Sequence, residues 1–135
     1  MAPRGRHLPG AVAAKQTHRY ESPTDGFDLL IYTGSGLMAR EIENIRSSDI
    51  VIIAGGRSGT LGEFAIAYDE GRLVGVLKGS GGIADAVPDL VRLCAKRTRA
   101  AVLYNEDPTL LVDRLIEHYE KHHYKRPSVF ARQAS

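Results

Sequence analysis

One cysteine, no tryptophan and no long apolar run set the first limits on this 135-residue chain. With Cys94 alone, no internal disulfide framework can form, and a single thiol suits a reducing compartment. Cys94 stands in an apolar helical context, which predicts a buried structural thiol rather than a nucleophile. No apolar stretch approaches the length of a membrane span, and the first residues lack the apolar core of a signal peptide. The expected location is therefore cytoplasmic, with no membrane partner. An excess of one charge is also missing. Lys and Arg number 18 against 16 Asp and Glu, and the net +2 is too small to argue for nucleic acid. Residues 1–19 do lack acids while carrying Arg4, Arg6, Lys15 and Arg19. No aromatic residue interleaves these cations, so the stretch reads as a basic leader rather than a nucleic-acid arm. What is left, 43% hydrophobic and 25% charged, fits one globular domain with a modest core.

The rest of the chain is organised around Asp49-Ile-Val-Ile-Ile-Ala-Gly-Gly-Arg-Ser-Gly-Thr-Leu-Gly-Glu63. Ile50 to Ala54 is an uninterrupted apolar run, as expected of a parallel strand buried on both faces. Gly55, Gly56, Gly59 and Gly62 follow, and then an Ala-rich helical segment that Gly71 should stop. Strand, glycine turn and helix together aim backbone N–H groups at an anion. The turn is not a P-loop, because Thr60 stands where the Lys should be, and its spacing is not that of the dinucleotide fingerprint. Thr60 and Glu63 have two readings. Thr-Leu-Gly-Glu fits a capping box that would start the helix at Thr60. Alternatively, Gly62 in a first turn lets a ligand approach the backbone closely, and Arg57 and Ser58 add a cation and a hydroxyl to the turn.

Gly55-Gly-Arg-Ser-Gly-Thr-Leu-Gly-Glu63 resembles the Pro-Gly-Gly-x-Gly-Thr-x-x-Glu signature of the LOG family, long mistaken for lysine decarboxylases. The resemblance extends over about residues 28–118. Arg40 stands nine residues before Asp49, as the family's Arg does. Three positions depart from the pattern: Gly55 replaces the Pro, Arg57 the second Gly, and Glu41 the Lys that usually follows the Arg. The family's upstream glycine-rich turn and further βα units are not visible, so the chain looks like the C-terminal portion of such a domain.

The remaining stretches alternate between strand and helix patterns. Asp28-Leu-Leu-Ile-Tyr32 is a strand, and residues 37–47 a helix with Met38, Ile42 and Ile45 on its apolar stripe. Arg40 lies off that stripe, where a solvated charge near Glu43 is the plain reading. Leu73-Val-Gly-Val-Leu-Lys78 is a buried strand, and Gly79-Ser-Gly-Gly82 after it is either a second phosphate loop or a simple βα connection. Pro88 suits the first turn of the next helix. Ala100-Ala-Val-Leu-Tyr104 is the last strand, and Asp107 and Pro108 are the N-cap and first residue of the final helix. His118 and His122 have metal-pair spacing but no third ligand, so they read as a surface helix end and no metal site is assigned.

The pattern predicts an α/β fold: a three-layer, Rossmann-like parallel sheet of about four strands with helices on both faces. Residues 1–24 would be leader, 25–124 the nucleotide-binding domain and 125–135 a tail. The resemblance implies a phosphoribohydrolase that splits a purine nucleoside 5′-monophosphate at its N-glycosidic bond. Glu63 and Arg40 would act in catalysis, and Gly55, Gly56, Arg57, Ser58, Gly59 and Thr60 would hold the phosphate, without metal or cofactor. Neither nucleic acid nor membrane is an expected partner. A homodimer or larger assembly would cover the open sheet edge, as relatives also dimerise. The alternative is a non-catalytic nucleotide-binding or sensor module, and a third reading is a structural subunit that completes a partner chain.

Overall fold

The structure, a computed structural model, describes residues 12–15, 29–32 and 36–122, with side chains from Met38 onward. It divides into two compact units, Met1–Ser47 and Ser48–Ser135. The tail at residues 125–135 and most of the leader lie outside the described residues.

In the first unit, β1 (Val12–Lys15) pairs in parallel with β2 (Leu29–Tyr32), with Val12 opposite Leu29 and Lys15 opposite Tyr32. A strand thus lies within the stretch read as leader. Its Val-Ala-Ala segment is short but free of charge until Lys15, which suits a paired strand. Helix α1 (Gly36–Arg46) follows. Its apolar stripe differs from the expected one. Ile45 is buried, but Met38 is 60% exposed, and Glu41 is buried with only 7% of its surface accessible. Glu41 and Ile45 stand four residues apart and so share one side of the helix.

The second unit holds a three-stranded parallel sheet in the order β3-β4-β5. The strands are β3 (Ile50–Ala54), β4 (Leu73–Leu77) and β5 (Ala101–Asn105). Helix α2 (Ser58–Asp69) joins β3 to β4, and α3 (Gly82–Cys94) joins β4 to β5. Right-handed crossovers that step in one direction put both helices on the same face of the sheet. Phe64, Ala67 and Tyr68 of α2 and Ala84 and Val87 of α3 are buried, with Val51, Ile53, Val74 and Val76 of the strands. Alternation along the strands directs the other residues to the opposite face. There α4 (Pro108–His122) sets Leu111 and Leu115 against Leu73, with Ile50, Leu77, Ala101, Leu103 and Tyr119 packed around them. Gly75 makes this close approach: a Cβ there would overlap the Leu115 side chain. The α/β expectation, with a parallel sheet and helices on both of its faces, holds. The described strands form a pair and a trio rather than one sheet of four.

β4 is buried along nearly its whole length, as predicted. β3 is not buried on both faces. It is the edge of the trio, α4 lies over β4 and β5, and Ile52 on the α4 side is 50% exposed. Pro88 is not in a first turn but at the seventh residue of α3, because the glycine loop after β4 starts that helix at Gly82. Cys94 is exposed, not buried. The inward face of α3 is set by Ala84 and Val87, and its last turn runs on into solvent, with Leu93 also 76% exposed.

Candidate functional site: a glycine turn at the carboxyl edge of the sheet

Parallel register aligns Ala54, Leu77 and Asn105 at one edge, so the turns after β3, β4 and β5 emerge side by side. Ligands of open α/β sheets bind at this edge. The turn after β3 starts with Gly55 at φ +58° and Gly56 at φ +99°, conformations that L side chains rarely adopt. Gly56 is doubly constrained, since a Cβ would overlap the Thr60 side chain.

The turn is pinned through its carbonyls. Ala84 N–H donates to Gly55 O at 2.9 Å and Ile83 N–H to Gly56 O at 3.1 Å. Gly55 N–H donates to Ser80 Oγ at 2.9 Å. Its amide side is different. The N–H groups of Gly56, Arg57, Ser58, Gly59 and Thr60 have no acceptor among the described residues, and the next amide, Leu61 N–H, starts the helix by donating to Arg57 O. The N-cap is Arg57, with extended backbone and no side-chain cap bond. A cap of Ser, Thr, Asp or Asn would satisfy one of these donors, and none stands there. The result is a run of unfilled donors at the positive end of a 12-residue helix. Arg57 and Ser58 are exposed beside it, and Gly59 and Thr60 are half-buried.

The capping-box reading of Thr60 and Glu63 does not hold. The helix begins two residues before Thr60, so Thr60 is its third residue and Glu63 its sixth. Helical spacing of three and four from Thr60 and Gly59 puts Glu63 on the same side as those residues, one turn further along. Glu63 is half-buried. Below it Phe64 and Tyr68 stack with ring centroids 5.6 Å apart and anchor α2 to the sheet.

The second glycine loop is not an open cradle. Gly79 N–H donates to Asp85 Oδ1 at 2.6 Å and Gly81 N–H to Asp85 Oδ2 at 3.0 Å, so one carboxylate of the chain occupies the loop. Between them, Ser80 Oγ donates to Leu77 O at 2.5 Å while accepting the Gly55 N–H. Sequence reasoning misses Ser80 and Asp85. The available signal is an acid in the first turn of a glycine-initiated helix, where a carboxylate is favoured.

Arg40 lies half-buried on α1 of the first unit, and the neighbouring Glu41 Oε2 is buried without a hydrogen-bond partner among the described residues. The His118 and His122 rings lie 4.4 Å apart, and no group of three metal-ligating side chains occurs among the described residues. No helix there is long and apolar enough to cross a membrane.

This architecture has a solved counterpart. An X-ray structure of TM1055, a Northeast Structural Genomics Consortium target, superposes with a TM-score of 0.64 at 22% identity, over 81% of this chain. The chain spans 65% of the length of that relative. No functionally curated protein matches it. Residues 7–112 match the model of the SLOG cluster4 family. The SLOG superfamily is of nucleotide-binding and phosphoribohydrolase type and includes LOG-like proteins, the kinship that the glycine signature indicates. By a match over most of its length, the chain belongs to the SLOG cluster4 family.

Proposed function

We propose that the protein binds a purine nucleoside 5′-monophosphate and hydrolyses its N-glycosidic bond. The observation that carries this reading is the run of five amides from Gly56 to Thr60 that have no acceptor among the described residues, with the Arg57 side chain exposed. Backbone N–H groups at a helix start match the oxygens of a phosphate dianion, and a guanidinium adds two-point, charge-assisted bonds. The Ser58 and Thr60 hydroxyls supply further donors. With the phosphate so held, the ribose extends over the first turns of α2, on the side that carries Glu63. As the C1′–N bond breaks, its electron pair leaves with the base and positive charge develops on the ribose. The Glu63 carboxylate stabilises that charge and takes a proton from the attacking water, the work that carboxylates do in glycoside hydrolysis. The base is protonated from solvent, and the products are free base and ribose 5-phosphate. Arg40 enters this reading through the sequence resemblance alone. The protein is expected to act as a homodimer or larger assembly.

Incubation with AMP and GMP, following free base by chromatography, tests the reaction. The expected result is release by the wild type that falls at least about 100-fold in Glu63→Gln, the usual scale for loss of a general base. A non-catalytic nucleotide-binding module is the second reading, and Arg57 favours it, since an exposed cation at the helix start retains phosphate whether or not chemistry follows. That reading predicts a thermal shift with AMP and no free base.

A further inference from the structure

The turn after β3 is braced by the start of α3. Gly55 O accepts from Ala84 N–H and Gly56 O from Ile83 N–H. Across a planar trans peptide the C=O and the following N–H point opposite ways, and no cis bond occurs among the described residues. Anchoring these two carbonyls on α3 therefore aims the N–H groups of Gly56 and Arg57 away from that helix. Gly82 permits the close seat, since a Cβ there would overlap Gly56 O. The peptide before Gly55 is fixed by a side chain instead. Ser80 Oγ accepts the Gly55 N–H at 2.9 Å and donates to Leu77 O, at the end of β4, at 2.5 Å. A proline, which the glycine signature has at this position, carries no N–H and cannot adopt the φ of +58° found at Gly55. The turn of this chain thus depends on a hydrogen bond where a ring would otherwise restrain it.

We infer that Ser80 is a positioning residue for the amides of residues 56–60: by tying Gly55 N–H to the end of β4, it fixes the start of the turn and the direction of the N–H groups that follow. This rests on the reading of residues 56–60 as a phosphate cradle, but not on any turnover. Ser80 itself touches no ligand, because its hydroxyl is engaged by Leu77 and Gly55. Without the hydroxyl, Gly55 regains the wide backbone freedom of a glycine, and phosphate must order the turn as it binds.

The test uses the full chain as wild type, Ser80→Ala and Ser80→Thr, with inorganic phosphate as the probe. Hydrogen exchange read by NMR comes first. In the wild type the Gly55 amide exchanges more slowly than those of residues 56–60, and in Ser80→Ala it exchanges as fast as they do. Titration then gives a phosphate affinity at residues 56–60 about fivefold weaker in Ser80→Ala, the scale of one neutral hydrogen bond, and restored in Ser80→Thr. A hydroxyl that only stabilised the fold would lower the urea midpoint and leave the affinity of the folded protein unchanged. In AMP cleavage the same loss appears as a higher KM at unchanged kcat, since the phosphate is held alike before and during the reaction. Fast exchange of Gly55 in the wild type overturns the inference without recourse to any variant. Equal phosphate affinity in the wild type and folded Ser80→Ala, or a loss that Ser80→Thr does not restore, overturns it too. Absence of base release while phosphate still distinguishes the wild type from Ser80→Ala counts against the hydrolase alone. No shift at residues 56–60 in the wild type overturns both.

Discussion

Gly56 and Gly79 both have positive φ, but they differ in what surrounds them. A Cβ on Gly56 meets Thr60, whereas one on Gly79 meets nothing within 4 Å. Gly79→Ala should therefore cost only the backbone strain, about 1 kcal/mol. Gly56→Ala should cost about 2 kcal/mol or more, since overpacking adds to that strain. Urea unfolding of the two variants gives the comparison, and equal losses would mean that Thr60 does not close over Gly56. Tyr104 allows a test by pH. Burial pushes its phenol above the ordinary value of 10.0, and Tyr68 adds to the rise. Above about pH 10 the unfolded chain releases this proton while the folded chain keeps it, so stability falls as pH rises through that window. Tyr104→Phe should flatten this alkaline slope, as read by denaturant midpoints between pH 9 and pH 11 (about the range that spans the ordinary phenol value). At this scale the sequence is only partly legible. Asp107 as N-cap is clear, and its Oδ1 accepts the Leu110 N–H at 2.9 Å. Asp85 is not, because its partners are defined by a loop conformation rather than by spacing.

The packing of α4 on β4 is the most exposed claim among the elements. Gly75 and Leu115 fit each other: the missing Cβ of one makes room for the side chain of the other, which is 1% exposed. Leu115→Ala should cost about 2–5 kcal/mol and Gly75→Ala about 1–3 kcal/mol, as a cavity and an overpacked site respectively. The double variant should cost less than the sum by about 1 kcal/mol, since neighbours that share a space do not add. Strict additivity would show that the two do not meet. The strands and helices from β3 to α4 are legible because each carries its own period and stop, such as Gly71 (φ +74°) just beyond α2. The start of α2 is not. Thr60 and Glu63 have capping-box spacing, but the two positive-φ glycines turn the chain early enough for Ser58 to begin the helix. Local spacing marks a helix start, and the turn decides where it lies.

For the whole molecule, the α/β class is legible in the alternation of apolar runs and glycine stops, and the glycine signature points to the LOG-like kinship that the SLOG match bears out. Burial is harder to read, because it depends on which faces the neighbouring elements cover. Ile52 and Cys94 sit in apolar sequence and are nonetheless exposed, since α4 does not extend over β3 and the end of α3 runs past its inward face. The proposed assembly is a homodimer or larger, and sedimentation velocity should give at least twice the 14.7 kDa mass of the chain. A monomer at every concentration would leave the exposed apolar side of β3 as ordinary surface.

The proposed hydrolysis requires that phosphate bound at residues 56–60 present a ribose to Glu63. The most direct measurement is chromatographic release of adenine from AMP by wild type and Glu63→Gln, with adenosine as the phosphate-free control. The predicted result is adenine from AMP with the wild type, little from adenosine, and almost none with Glu63→Gln. Equal release by the wild type and a folded Glu63→Gln variant, or no release from AMP at all, would contradict it.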